Sequence, residues 1–310
     1  MPTEAVRAAS KLSKDEWREY TKTVWQIANV SSRDHPAVFP PEIPRRLIKL
    51  FSFVGETVLD PFAGVGTTAV EAVALGRRGI AVELNKEYVE VIESAVSGQP
   101  VEVHEADSRS LEFLDESSVD LVVTSPPYWN KADYGSAKGN LGNLASYTQF
   151  LREMRTVFDE MYRVLRPGRK ICVITANVNQ HTDHGLLTFP IAADFTVQLR
   201  ESGFVMINEL IWSKDKTGGR WGSAGAQRPI FGSYPYPPNF LFKNVHEYIL
   251  VFAKPPERRS VGKTVRSYDS LMAVTEVAVP GAQTNGNGHN GNGHNGNGHG
   301  GDGHPGESTR

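Results

Sequence analysis

Two short segments hold residue types that could do chemistry together. In Val58-Leu59-Asp60-Pro61-Phe62-Ala63-Gly64-Val65-Gly66-Thr67-Thr68-Ala69, an apolar strand runs through a glycine turn into a helix. Gly64 and Gly66 let backbone approach a ligand closely, and the helix behind them aims its N-terminus at that ligand. The spacing Gly64, Gly66, Ala69 satisfies the dinucleotide fingerprint, and Glu83 ends the next strand where a ribose-binding acid belongs. A nicotinamide- or flavin-dependent oxidoreductase is therefore one reading, and a turn serving only strand-to-helix packing is another. Asp60 weighs against the first, because a carboxylate beside the turn repels a pyrophosphate and suits a cationic ligand. S-adenosylmethionine is such a ligand: it carries a sulfonium, an ammonium and a ribose whose hydroxyls Glu83 can accept from. Asp107, after the third strand, falls along the same crevice at the carboxyl ends of the strands.

The second segment is Thr124-Ser125-Pro126-Pro127-Tyr128-Trp129. Two prolines fix φ and remove two donors, so the chain leaves the sheet in one rigid extended shape. Ser125 and the Pro126 carbonyl can then accept N–H groups, while Tyr128 and Trp129 offer aromatic faces. A planar base with an exocyclic amine needs that combination, and inside a duplex such a base must first be flipped out. A proline turn that merely caps a sheet is the plainer reading. Attack at cytosine C5 would need a cysteine nucleophile; the single Cys172 lies within the apolar run Ile171-Cys172-Val173-Ile174 and reads as core.

The elements that must position these segments alternate. Strands are expected at 57–60, 79–83, 101–103, 119–124, 170–175, 204–212 and 246–253, with helices at 42–51, 68–75, 88–96, 147–165 and 191–201. Ser13-Lys14-Asp15-Glu16 reads as a further helix start. Strand alternating with helix implies right-handed crossovers and a mainly parallel sheet covered on both faces. The last two strands are joined by a Gly/Pro/aromatic-rich loop, which predicts an antiparallel final strand. The expected fold is α/β: a seven-stranded, mostly parallel Rossmann-like sheet with helices on both faces. The expected organisation is a polar helical extension over 1–33, a catalytic domain over 34–255, a basic segment over 256–280 and a Gly/Asn/His tail over 281–310.

At this point the motifs carry a resemblance. Asp60-Pro-Phe-Ala-Gly-Val-Gly-Thr-Thr together with Thr124-Ser-Pro-Pro-Tyr-Trp resembles the cofactor and catalytic motifs of the amino-directed DNA methyltransferases. The serine form of the proline motif is similar to the cytosine-N4 branch; adenine-N6 members more often carry Asp or Asn there. His35-Pro36-Ala37-Val38-Phe39-Pro40, Arg163 to Gly168, Leu210 to Lys214 and His246-Glu247-Tyr248 also resemble family segments, and the likeness covers about residues 24 to 255. The motif order, cofactor motif first, is that of a circular permutation. The resemblance implies transfer of a methyl group from S-adenosylmethionine to an exocyclic amine of a flipped base, cytosine N4 first and adenine N6 second. Methylation of RNA or of a protein amide stays open on the same fold, as does a DNA-binding module with an inactive pocket. It assigns catalysis to Ser125, Pro126, Pro127 and Tyr128, and cofactor contacts to Phe39, Pro40, Asp60, Phe62, Gly64, Gly66, Thr67, Thr68, Glu83 and Asp107. Implied partners are double-stranded DNA and a cognate restriction endonuclease.

Charge and composition bound the remainder. The 310 residues carry 33 basic and 35 acidic side chains, a formal net charge of −2, which excludes a uniformly basic coat but not a local basic face. Lys214, Lys216, Arg220 and Arg228 share a loop (214–244) with Trp221, Tyr234, Tyr236 and Phe240, and with Trp129 they are the candidate DNA contacts. Lys254 to Arg266 could track a phosphate backbone or be a solvated tail. Arg163, Arg166, Arg169 and Lys170, at a helix end and strand start, suit a dipole and solvation role. His181 and His184 flank Asp183 in what reads as a surface loop, and no metal site is expected. One cysteine, no apolar run of spanning length and no leader-like N-terminus predict a reducing, cytoplasmic setting away from the membrane.

Overall fold

Central strands buried on both faces set the architecture: Thr57–Asp60 and Val119–Thr124 are buried at every position. The computed structural model describes residues 2–29, 39–131, 137, 139–214 and 244–256. Within them the strands are β1 (Val24–Gln26), β2 (Thr57–Asp60), β3 (Arg78–Glu83), β4 (Val101–Glu105), β5 (Val119–Thr124), β6 (Leu165–Thr175), β7 (Val178–Thr182), β8 (Gly185–Phe189), β9 (Val205–Ser213) and β10 (His246–Ala253). The helices are α1 (Glu4–Ala9), α2 (Lys14–Tyr20), α3 (Glu42–Phe51), α4 (Thr67–Ala74), α5 (Lys86–Ala95), α6 (Tyr147–Val164) and α7 (Ile191–Glu201). Eight strands form one sheet in the order β1-β9-β10-β6-β5-β2-β3-β4, and β7 and β8 form a separate antiparallel pair. Every neighbouring pair in the large sheet is parallel except the two made by β10, with β6 and with β9.

Successive side chains on a strand face opposite ways, and two cores follow from that. Leu59, Val122, Ile171, Val173, Leu250 and Phe252 pack on one face with Phe150, Met154, Val157 and Phe158 of α6 and Phe195 of α7. Val58, Leu121, Val123, Cys172, Ile174, Ile249 and Val251 pack on the other with Ile43, Leu47 and Ile48 of α3. A third cluster joins Ala69, Ala81, Ile92 and Val96 around α4 and α5. Helices therefore cover both faces, as the alternation requires. Burial raises the Cys172 thiol pKa and leaves it a core residue.

Four differences from the sequence expectation have physical causes. The large sheet holds eight strands rather than seven, because Val24–Gln26, inside the stretch read as a polar helical extension, pairs in parallel with β9. Three residues carry too little alternation to be noticed; burial of Trp25, at 0 % exposure, is what holds them. β6 begins at Leu165, five residues early: α6 ends at Val164, and Arg166 to Arg169 run on extended alongside Lys254, with Gly168 donating to the Lys254 carbonyl at 2.8 Å. Residues 178–189 form a hairpin rather than a loop, with exposed His181 and His184 at its tip. Finally, Arg166 and Arg169 do not simply solvate a helix end. Both pair with Asp120, at 2.5 and 3.3 Å, and Asp120 also accepts the Thr57 backbone N–H at 3.0 Å.

Because Trp25 is the one buried side chain of β1, Trp25→Ala should lower unfolding free energy by about 3–5 kcal/mol, the usual range for emptying a buried aromatic site. Urea unfolding followed by circular dichroism reads this; a loss below about 1 kcal/mol would mean that β1 is dispensable to the sheet.

Candidate active site

Strand order reverses at β2. From β2 the chain builds outward through β3 to β4, then returns to β2's other side with β5. The crevice at the carboxyl ends of β2 and β5 is the switch point where ligands settle in open α/β sheets, and both motifs meet there.

Asp60 joins them. It is 1 % exposed, and its carboxylate accepts from Thr68 Oγ1 at 2.7 Å on α4, from Thr124 Oγ1 at 2.7 Å on β5 and from the Phe62 N–H at 3.1 Å. Asp60, expected against a cationic ligand, and Thr68, which the resemblance assigns to the cofactor, instead face each other inside the protein and hold the glycine turn to the proline motif. The reason is that a buried carboxylate needs several donors, and two threonine hydroxyls and a backbone amide lie within reach.

The turn itself is shaped by Glu83. Gly64 and Gly66 have φ of 53° and 85°, values that other residues adopt only with strain, and Gly66 stands at the start of α4 with Thr67 as its first residue. Glu83 accepts the Gly64 N–H at 2.8 Å through one oxygen and the Asn85 N–H at 2.9 Å through the other. Burial raises its pKa, against the pull of those amides and of Leu84. With three amides on a carboxylate that offers about four lone-pair sites, room is left for a hydroxyl. Asp107 lies beyond the end of β4, where Arg109 grips it: Nε lies 3.0 and 3.1 Å from the two oxygens, Nη2 lies 2.5 Å from Oδ2, and the Arg109 N–H donates to Oδ1 at 3.0 Å. Arg109 also pairs with Glu153 at 2.5 Å. Burial would raise the Asp107 pKa, but Arg109 outweighs it and the net shift is downward. Neither Arg109 nor Glu153 was singled out from sequence; Glu153 comes from α6, 44 positions away.

On the other side, Pro126 and Pro127 are buried and Ser125 and Tyr128 half-buried. Ser125 Oγ lies 3.1 Å from Tyr128 Oη, and the Tyr128 hydroxyl donates to Glu247 Oε2 at 2.9 Å. Lys214 closes on the other Glu247 oxygen as an ion pair, its ammonium 4.4 Å from the Trp212 ring centroid. Lys214, expected on DNA phosphate, is thus tied through Glu247 to the proline motif. Trp129 is also reassigned. Its ring is buried, its Nε1 donates to the Leu144 carbonyl at 2.7 Å, and it packs on Tyr147 and Phe189. Its φ of 51° is rare for a bulky residue and costs on the order of 1–3 kcal/mol, held by that packing. Trp129 therefore anchors the segment rather than offering a face to a base.

Phe39 is half-buried against the α3 face, Pro40 is buried and accepts from the Ile43 N–H, and Phe62 packs at the edge of the main core. Lys216, Arg220 and Arg228 lie outside the described residues, as do the aromatic residues read with them and the chain from 257 onward. Lys254, counted with that basic segment, is buried and donates to the Tyr162 carbonyl at 2.7 Å at the end of α6. Among the described residues no three His, Cys, Asp or Glu side chains converge as for a metal, and no helix is long and apolar enough to cross a membrane.

Asp60 gives the site a pH signature. Burial pushes its carboxyl up to about 6, against the bonds from Thr124, Thr68 and Phe62. Below about pH 4 folded and unfolded chains both hold the proton; between about 4 and 6 only the folded chain does. Stability from this group is therefore present at low pH and is lost, by on the order of 3 kcal/mol, as pH rises through that window. Urea unfolding of wild type and Asp60→Asn should show the difference, wild type minus variant, falling between about pH 4 and 6 and level above it. A flat difference would remove Asp60 from the role of buried tie.

Residues 1–94 and 119–287 match the DNA methylase family of the N6/N4 type. The chain is 40% identical over 101 residues to the type II methyltransferase M.MjaI of Methanocaldococcus jannaschii, covering 31% of this chain and 33% of that protein. It is 44% identical over 92 residues to the type II methyltransferase M.BglI of Bacillus subtilis, covering 29% and 26%. With the DNA adenine methyltransferase YhdJ of Escherichia coli the identity is 43% over 73 residues, covering 22% and 25%. The chain thus spans a third or less of the length of these relatives. The family match, in contrast, covers most of the chain and takes in both the glycine turn and the proline pair, and the chain belongs to the DNA methylase family of the N6/N4 type.

Proposed function

We propose that this protein transfers the methyl group of S-adenosylmethionine to an exocyclic amine of a base flipped out of duplex DNA, with cytosine N4 as the acceptor. The observation that carries the reading is the 2.7 Å bond from Thr124 to Asp60, which fixes the proline motif against the glycine turn. The residues present fit the cofactor by the chemistry of their donor set: Glu83 and Asp107 offer carboxylate oxygens beside a turn whose following helix has no side-chain cap. Glu83 would take the ribose hydroxyls, Asp107 the adenine side, and Phe39 and Pro40 the methionine end. Bound there, the cofactor supplies an electrophilic methyl carbon on a positively charged sulfur.

The chain's own part is alignment. Ser125 and the Pro126 carbonyl accept the two amine hydrogens, which turns the nitrogen lone pair out of the ring plane and toward the methyl carbon. The nitrogen would take the methyl group with loss of the charge on sulfur, and one of the hydrogens held at Ser125 and the Pro126 carbonyl would leave to solvent as a proton. Tyr128 stacks on the base, and no covalent enzyme intermediate is required.

Adenine N6 is the second reading, favoured by the likeness to the Escherichia coli adenine enzyme. A cognate restriction endonuclease is the partner suggested by the type II relatives. Mass spectrometry of digested DNA from an expressing host should reveal N4-methylcytosine; N6-methyladenine in its place would assign the second reading, and methyl transfer to RNA or protein but not DNA would overturn both. Tyr128→Ala should reduce turnover about 10- to 100-fold, the worth of one base stacking, with the cofactor dissociation constant within about twofold of wild type by calorimetry. Weakened cofactor binding with unchanged turnover at saturation would contradict these roles.

A further inference from the structure

One network at the site is not used by the reading above. Glu247 is the second residue of β10, which runs antiparallel to β6, so it sits at the carboxyl edge of the parallel strands although it comes from the last described strand. Lys214, just past the end of β9, is held there by its own N–H on the Val245 carbonyl at 2.8 Å and by its ion pair with Glu247. Glu247 is 9 % exposed, so the pair is largely withdrawn from solvent.

Hydrogen counting then gives the chain a direction. An ammonium only donates and a carboxylate only accepts. Tyr128 has one hydroxyl hydrogen and directs it to Glu247. The contact between Ser125 Oγ and Tyr128 Oη must therefore be made with the serine hydrogen. Lys214, Glu247, Tyr128 and Ser125 form an ordered series in which each bond polarises the next, and the Ser125 oxygen turns only lone pairs toward the crevice.

We infer that Glu247, fixed by Lys214, is a positioning residue that makes Ser125 an acceptor and so admits bases with an amine at that edge while rejecting those with a carbonyl. This rests on the reading of the site as an amine methyltransferase. Cytosine and adenine present N–H groups there, whereas thymine and guanine present O4 and O6; a serine free to rotate would satisfy either. In Glu247→Gln the amide can donate as well as accept, Lys214 loses its anion, and the order is lost.

The experiment compares full-length wild type, Glu247→Gln, Tyr128→Phe and the double variant. Two readouts are used: initial rates of labelled methyl transfer to unmethylated genomic DNA, and proton NMR of the hydroxyl that is missing in Tyr128→Phe. Glu247→Gln should lower kcat about tenfold with the cofactor KM within twofold, as expected for a hydrogen bond to a charged group. Because Glu247 acts through the Tyr128 hydroxyl, the double variant should be no slower than the slower single one. The Tyr128 hydroxyl resonance should be present in wild type and displaced in Glu247→Gln. Unchanged turnover in Glu247→Gln, multiplying losses in the double variant, or an unmoved resonance would overturn the inference. Wild type that transfers no methyl to DNA would overturn the proposed function, while the resonance still decides the hydrogen order.

Discussion

Taking a carboxylate out of water costs several kcal/mol unless donors replace the lost solvent, and at Asp60 those donors come from the β2 turn, from α4 and from β5. The consequence is geometric. Thr68 is fixed relative to the turn that starts its helix, and Thr124 is fixed two residues before the proline pair. A displacement of either motif breaks a bond to a buried charge, so the two halves of the site move together or not at all. The rest of the arrangement builds on that registration: Glu83 shapes the turn from one side, and the proline pair leaves the sheet from the other.

The reversed strand has a comparable effect on the far side of the site. In a sheet whose other neighbours are parallel, the carboxyl edge collects only strand ends. Because β10 runs the opposite way, its beginning reaches that edge and brings Glu247 beneath Tyr128. Trp129 completes the support from outside the sheet, its indole fixed by the Leu144 carbonyl and by Phe189 at the end of the β7–β8 hairpin. The rigid exit imposed by two prolines is thus braced on both sides by contacts from distant positions in the chain.

Much of this was legible in the sequence because it is local. The glycine turn, the proline motif, Glu83 at its strand end and the alternation of strand and helix each depend on residues a few positions apart, and the structure has them where their spacing predicts. What escaped depends on register between distant segments. Nothing near Lys214 in the chain indicates Glu247 as its partner, and nothing near Asp107 indicates Glu153 behind Arg109. Trp129 looked like a stacking surface because aromatic residues beside a motif give no sign of which way they turn. Trp25 was invisible as a strand since three residues cannot display a period. Asp60 was noticed for its charge, whereas its burial follows from where α4 and β5 lie.

The bond from the Lys214 amide to the Val245 carbonyl has one more implication. It clasps the chain at both ends of residues 215–243, at the rim of the site and outside the sheet ladders. The clasp therefore fixes the backbone on either side of the Lys214–Glu247 pair, so the pair keeps its place beside Tyr128 independently of the residues that join the two strands.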